Sequence, residues 1–149
     1  MAAHRPARVA LIDDNPDDLL LARLFLRRAG IALPFDSWPT GARFLDAMAR
    51  NPDLAPDLAL VDLNLPVLSG AELLARARAE RWARATTFAV CTGSTDPADR
   101  AAALDAGAAA FLSKPLTEAS LAALCVAAPR FTLRAGADGL RLLTLGARG

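Results

Sequence analysis

Short apolar runs alternate along the chain with longer segments of helical periodicity. Val9-Ala10-Leu11-Ile12 is stopped abruptly by Asp13-Asp14, the pattern of a strand buried on both faces. Asn15 is a good N-cap and Pro16 a good first helical residue, so a helix begins there. Leu20, Leu21, Leu24 and Phe25 give it an apolar stripe, and Gly30 ends it. Residues 34–38 read as a weaker strand, with Pro34 against it. Thr40-Gly41 opens a second helix carrying Phe44, Leu45 and Met48, and 51–56 is a turn. Leu58-Ala59-Leu60-Val61 is the second clear buried strand, ending at Asp62. Ser69 caps a helix running to about Arg81. Phe88-Ala89-Val90-Cys91 is a strand ending at Thr92, and Asp96-Pro97 starts a helix closed by Gly107. Ala109 to Leu112 is a short strand before Ser113-Lys114-Pro115. Thr117 to Ala128 is a helix with Glu118 favourable in its first turn.

Five strands alternating with five helices predict an α/β domain with a parallel sheet covered on both faces. The pattern changes after Pro129. Residues 130–134 and 140–145 read as a hairpin around a glycine-containing loop. The expected organisation is one domain over 1–128, its core at about 8–128, with 129–149 as an extension and no separate effector domain. Phe131, Leu133, Leu140, Leu142, Leu143 and Leu145 are too apolar for a solvated tail. The expectation is an arm that packs on a second copy to give a symmetric homodimer. Packing within the chain is the alternative.

Composition narrows the class. A chain of 149 residues with 54% hydrophobic side chains can bury a sizeable core. Its 17 Lys+Arg balance 16 Asp+Glu, which gives no global support for nucleic-acid binding. The arginines are spread as a solvated face. Cys91 and Cys125 form neither a disulfide framework nor a metal spacing. No apolar region follows the charges of residues 1–8, and no stretch has the ~18 apolar residues that span a membrane. A cytoplasmic protein is expected. His4 is assigned no role in an end without regular structure, and Trp38 and Trp82 are read as packing residues.

All but one of the cations are arginine, and the exception is Lys114. In open α/β sheets ligands bind beyond the carboxyl ends of the strands. Here those ends carry Asp13-Asp14, Asp62, Thr92 and Lys114, so three carboxylates, a hydroxyl and an ammonium should share one pocket. Clustered carboxylates repel unless a cation is present. Mg²⁺ fits, because it takes oxygen ligands from one or two carboxylates together with phosphate oxygens. Asp62, at the end of a central strand, is then the nucleophile for a phosphoryl group. Taken singly the residues have plainer readings: Asp13-Asp14 as a helix-entry turn, Thr92 as a strand-end hydroxyl, Asp17 and Asp18 as first-turn acids.

Taken together, four stretches resemble the receiver domain of two-component response regulators. They are Leu11-Ile12-Asp13-Asp14-Asn15, Val61-Asp62-Leu63-Asn64-Leu65-Pro66 with Ser69-Gly70, Cys91-Thr92-Gly93, and Phe111-Leu112-Ser113-Lys114-Pro115. The resemblance implies a flavodoxin-like doubly wound sheet of order 2-1-3-4-5. It implies that Asp62 accepts phosphate from the phosphohistidine of a histidine kinase. Asp13, Asp14, Asp62 and the main-chain carbonyl of Asn64 would hold Mg²⁺, and Thr92 and Lys114 would contact the phosphoryl oxygens. A cis Lys114-Pro115 peptide is expected. Phe111 stands at the family's aromatic switch position without the hydroxyl that a Tyr brings, so its rotation is less secure than phosphorylation of Asp62. The opening from Asp14 to Leu20 is similar to stand-alone regulators that partner bacterial phytochrome kinases, with output by protein contact or phosphorelay. An aspartate-nucleophile hydrolase would need an Asp where Asn64 stands. A pseudo-receiver that only binds conflicts with the complete set of acids, Thr92 and Lys114.

Overall fold

The apolar runs pair side by side because none of them has a polar face to give to water. A computed structural model describes residues 4–146; the outermost residues of both expected segments, 1–3 and 147–149, lie outside the described residues. The strands are β1 (His4–Pro6), β2 (Val9–Ile12), β3 (Ile31–Ala32), β4 (Phe35–Trp38), β5 (Leu58–Val61), β6 (Thr87–Thr92), β7 (Ala110–Ser113), β8 (Phe131–Ala135) and β9 (Arg141–Gly146). The helices are α1 (Pro16–Arg28), α2 (Gly41–Arg50), α3 (Gly70–Arg78), α4 (Pro97–Asp105) and α5 (Glu118–Ala127). The main sheet is parallel, in the order β4-β2-β5-β6-β7. Counting only its own strands, this is the 2-1-3-4-5 order of the flavodoxin-like fold.

The period of two splits each strand between two cores. Val9, Leu11, Leu58, Leu60, Ala89 and Cys91 face α1 and α5, where they meet Ala22, Leu26, Leu121 and Leu124. Ala10, Ile12, Ala59, Val61, Phe88 and Val90 face the other side, against Phe44 and Met48 of α2, Leu73 and Leu74 of α3, and Ala103 of α4. The helix starts are set locally. Asn15, Thr40 and Asp96 each accept a backbone N–H of the first turn, and Ser69 with Glu72 forms a capping box. Helix α3 stops at Arg78, short of the expected Arg81, and a 3₁₀ turn over Arg81–Ala85 follows. That turn seats Trp82 edge-on to Phe44, ring centres 5.6 Å apart.

The C-terminal hairpin forms as expected and becomes the centre of a second sheet. β9 pairs antiparallel with β8 along one edge. Its other edge takes β1 antiparallel and β3 parallel. His4–Pro6 is therefore a strand, contrary to the irregular end expected there, because β9 offers it a free edge. The arm expectation also needs correction. Phe131 and Leu143, 0% and 2% exposed, belong to the core over α1 and α5, with Leu133 and Leu145 packed against it. Their apolar surface is consumed within the chain. Of the six arm residues, Leu140 and Leu142 line a groove of about 600 Å³ with Leu20 and Leu24 of α1.

At the amino ends of the strands, Asp57 clasps the N-terminal segment. Arg5 donates two hydrogen bonds of 2.8 Å to its carboxylate, and the Arg8 backbone N–H donates a third of 2.8 Å. Burial alone would raise the Asp57 pKa, but the Arg5 and Arg8 donors and the Arg130 charge hold it below the ordinary carboxylate value.

Two outcomes follow. Phe131→Ala leaves a cavity in the main core and should lower unfolding free energy by about 3–4 kcal/mol, read by urea denaturation; an arm that served only a second copy would leave the stability of the separate chain unchanged. Because the Asp57 pKa is depressed on folding, its contribution is present above the unfolded value of about 4 and lost as pH falls through the folded value. Asp57→Asn should cost about 1–2 kcal/mol at pH 7, and should flatten the loss of melting temperature on acidification that the unsubstituted chain shows.

Candidate functional site

The parallel ladder continues one residue past three strand ends, and those residues carry the chemistry. The Asp13 N–H donates to the Trp38 carbonyl at 3.0 Å, the Asp62 N–H to Ile12 at 2.9 Å, and the Lys114 N–H to Thr92 at 2.9 Å. Backbone position is thereby fixed before any side chain is placed. Each of the two aspartates then turns back on the loop that follows it. Asp13 Oδ1 accepts the Asn15 N–H at 2.9 Å, and Asp62 Oδ1 accepts the Asn64 N–H at 3.1 Å. Their Oδ2 atoms both point to Lys114, whose Nζ donates to Asp13 at 2.8 Å and to Asp62 at 2.9 Å.

A third carboxylate shares that ammonium. Lys114 Nζ donates to Asp18 Oδ2 at 2.7 Å. The plain reading of Asp18 as a first-turn acid missed this contact. The signal was in the helix: Asp18, Ala22 and Leu26 are spaced i, i+4, i+8, and Ala22 and Leu26 are buried. Asp18 therefore sits on the face of α1 that looks at the sheet.

The electrostatics follow from this sharing. Burial lowers the affinity of Lys114 for its proton, but three carboxylate partners more than offset it and its pKa is raised. Burial raises the Asp13 pKa, and the bonds from Lys114 and the Asn15 N–H do not reverse this. One ammonium gains from three acids at once, while each acid receives only part of it. Cys91, at the end of β6 beside this cluster, is held as the neutral thiol, because burial pushes its pKa up to about 12.

Thr92 is fully buried, its hydroxyl accepting the Ser94 N–H at 3.3 Å. Ser94 in turn donates to Asp99. Phe111, the register partner of Val90 in the β6–β7 ladder, is half-buried against the core over α2, α3 and α4. The Lys114–Pro115 peptide is cis. Behind the site, the Gly70 N–H donates to the Leu63 carbonyl at 3.0 Å. A Cβ on Gly70 would lie 2.5 Å from the Asp62 carbonyl oxygen and 2.9 Å from Leu63 Cα. In the intervening loop Val67 adopts φ +65° with its side chain fully in solvent, a left-handed conformation that a β-branched residue rarely takes.

One oxygen from each of Asp13, Asp14 and Asp62 lies within 4.8 Å of the others. An all-oxygen set at this spacing, with Asp14 open to solvent, fits a hard divalent cation. Beside it a cavity of about 340 Å³ runs from Asp13, Asp18 and Lys114 to an apolar wall that includes Leu21, Phe25 and Leu116.

A raised folded pKa means that, as pH climbs, the unfolded chain releases the Asp13 proton first. The Asp13 carboxylate thus subtracts stability at neutral pH, and the deficit vanishes below about pH 4. With a chelator present, Asp13→Asn should raise the melting temperature at pH 7 and lose that advantage near pH 4. Thermal melts at the two pH values check this; a lower melting temperature at pH 7 would contradict it.

Comparison with known proteins agrees with this geometry. Residues 9–125 match the family model described as the response regulator receiver domain. The chain is 38% identical over 107 residues to the transcriptional regulatory protein KdpE of Mycobacterium tuberculosis, covering 72% of this chain and 44% of that protein. It therefore spans less than half the length of this curated relative. The signal receiver domain of the putative response regulator NarL from Mycobacterium tuberculosis superposes with a TM-score of 0.64 at 28% identity, covering 83% of this chain and 97% of that one. The bacteriophytochrome response regulator RtBRR gives 0.68 at 25% identity, covering 83% and 79%. With the family model spanning most of its length and the flavodoxin-like sheet presenting the acids, Thr92 and Lys114 at one edge, the chain belongs to the response regulator receiver domain family.

Proposed function

We propose that this receiver domain is a phosphoacceptor: Asp62 takes a phosphoryl group from the phosphohistidine of a histidine kinase. The observation that carries the reading is the Lys114 ammonium held 2.9 Å from the Asp62 carboxylate, with Asp13 and Asp14 beside it and buried Thr92 at the neighbouring strand end. An Asp62 oxygen forms the new bond to phosphorus as the phosphorus–nitrogen bond of the phosphohistidine breaks, and the imidazole leaves with that electron pair. Lys114 follows the negative charge on the phosphoryl oxygens as a compact point charge. The Thr92 hydroxyl offers a neutral donor. Asp13, Asp14 and Asp62, with the Asn64 carbonyl, would hold Mg²⁺, which supplies neutralisation of phosphoryl charge.

The proposed partner is a kinase rather than a metabolite, and the likeness to bacteriophytochrome response regulators makes bacterial phytochromes the first kinases to try. Output by protein contact or onward phosphorelay, with Phe111 as a candidate reporter of the phosphorylated state, belongs to the same proposal. Association of two copies through the hairpin would rest on Leu140 and Leu142, since Phe131 and Leu143 are buried inside. Among the described residues no helix is long and apolar enough to cross a membrane.

Incubation with acetyl phosphate and Mg²⁺ should add the mass of one phosphoryl group to the intact protein. Asp62→Asn should fold normally and show no addition. A well-folded unsubstituted chain that gains no mass, with a cognate kinase as well as with acetyl phosphate, would leave the domain as a binding module only.

A further inference from the structure

Lys114 has three donors and three carboxylate partners, and only two of those partners belong to the proposed chemistry. Asp13 and Asp62 stand in the trio suited to a divalent cation; Asp18 stands outside it. Asp18 nevertheless makes the shortest of the three contacts, 2.7 Å, against 2.8 and 2.9 Å. Its side chain is 33% exposed, where those of Asp13 and Asp62 are 8% and 11% exposed. It reaches the ammonium from the first turn of α1, whereas Asp62 reaches it from the end of β5.

We infer that Asp18 is a positioning residue of this site, which holds the Lys114 ammonium from the α1 side and biases the pocket toward cation and away from phosphoryl anion. The inference rests on the phosphoacceptor reading of Asp62. Two physical effects act in the same direction. Asp13, Asp18 and Asp62 contact a single ammonium, and Asp14 stands exposed beside Asp13 and Asp62, so acids outnumber the cation before any ligand arrives. Asp18 adds to the attraction for a divalent cation and to the repulsion of a phosphoryl group. Asp18 also satisfies one Lys114 donor permanently. A phosphoryl oxygen must then share the ammonium with a carboxylate that no metal ion neutralises. The same tether keeps Lys114 in place when Asp13 and Asp62 turn to other ligands.

Opposite signs separate this role from a structural one. Mg²⁺ affinity is read by titration calorimetry on the full chain. Affinity for beryllofluoride, a phosphoryl mimic, is read the same way at saturating Mg²⁺. Asp18→Asn should weaken Mg²⁺ binding and tighten beryllofluoride binding, each about three- to tenfold for one screened charge at this range. Asp18→Glu should return both toward the starting values. Asp17→Asn, which removes an exposed acid from the same first turn, should change neither by more than about twofold. Weakening of both ligands, no change in either, or the same shifts from Asp17→Asn would overturn the inference. So would an Asp18→Asn chain that fails to fold, which makes Asp18 structural. If the unsubstituted chain binds neither ligand, the phosphoacceptor reading itself fails and takes this inference with it.

Discussion

One ammonium shared among three carboxylates is the interaction on which this site depends. Without Lys114, Asp13, Asp18 and Asp62 would face one another across a mostly buried pocket, with Asp14 at its rim. Charges so placed are tolerated only with a counter-ion or with shifted protonation. The pocket shows both. Lys114 holds its proton more tightly than usual, and Asp13 holds its own more tightly as well. The arrangement is not built for stability. It keeps an excess of acid at a sheet edge, an all-oxygen set whose spacing fits a divalent cation.

The parallel sheet makes that arrangement reproducible. Asp13, Asp62 and Lys114 are each the residue just past a strand, and each is tied by its own N–H to the neighbouring strand. Of these strands, β2 and β5 are buried on both faces, so a slip in their register would expose apolar side chains or bury polar ones. Functional geometry is thus inherited from core packing. The second sheet extends the same logic: Phe131 and Leu143 add to the core over α1 and α5, and α1 carries the Asp18 that contacts Lys114. Arg141 strengthens the join by donating to the Ala29 carbonyl at the end of α1 and pairing with Glu118 at the start of α5.

Most of this was legible in the sequence, for identifiable reasons. Val9–Ile12, Leu58–Val61 and Phe88–Cys91 are apolar runs with no alternative to burial, and each is followed at once by a polar residue, Asp13, Asp62 or Thr92. Caps such as Asn15-Pro16 and Ser69 mark helix starts through side chains that act locally. What was not legible depends on distant partners. His4–Pro6 and Ile31–Ala32 are too short to signal a strand, and they become strands because β9 presents them an edge. Phe131 and Leu143 announce that they will be covered but not by what. Asp18 was hidden by a sufficient local explanation, since an acid in a first helical turn ordinarily needs no other; its place on the buried face of α1 was the overlooked clue.

Gly70 constrains the chain in another way. Its N–H closes the loop after β5 onto Leu63, and its missing side chain is what lets α3 start against the Asp62 carbonyl. The segment between Leu63 and Gly70 is therefore a closed loop of fixed length that begins directly after Asp62. Its tip can change composition freely, as the solvent-facing Val67 indicates, but an inserted or deleted residue would break the closure and shift Asp62 itself. Drift within the family should accordingly alter which residues stand in this loop while preserving their number.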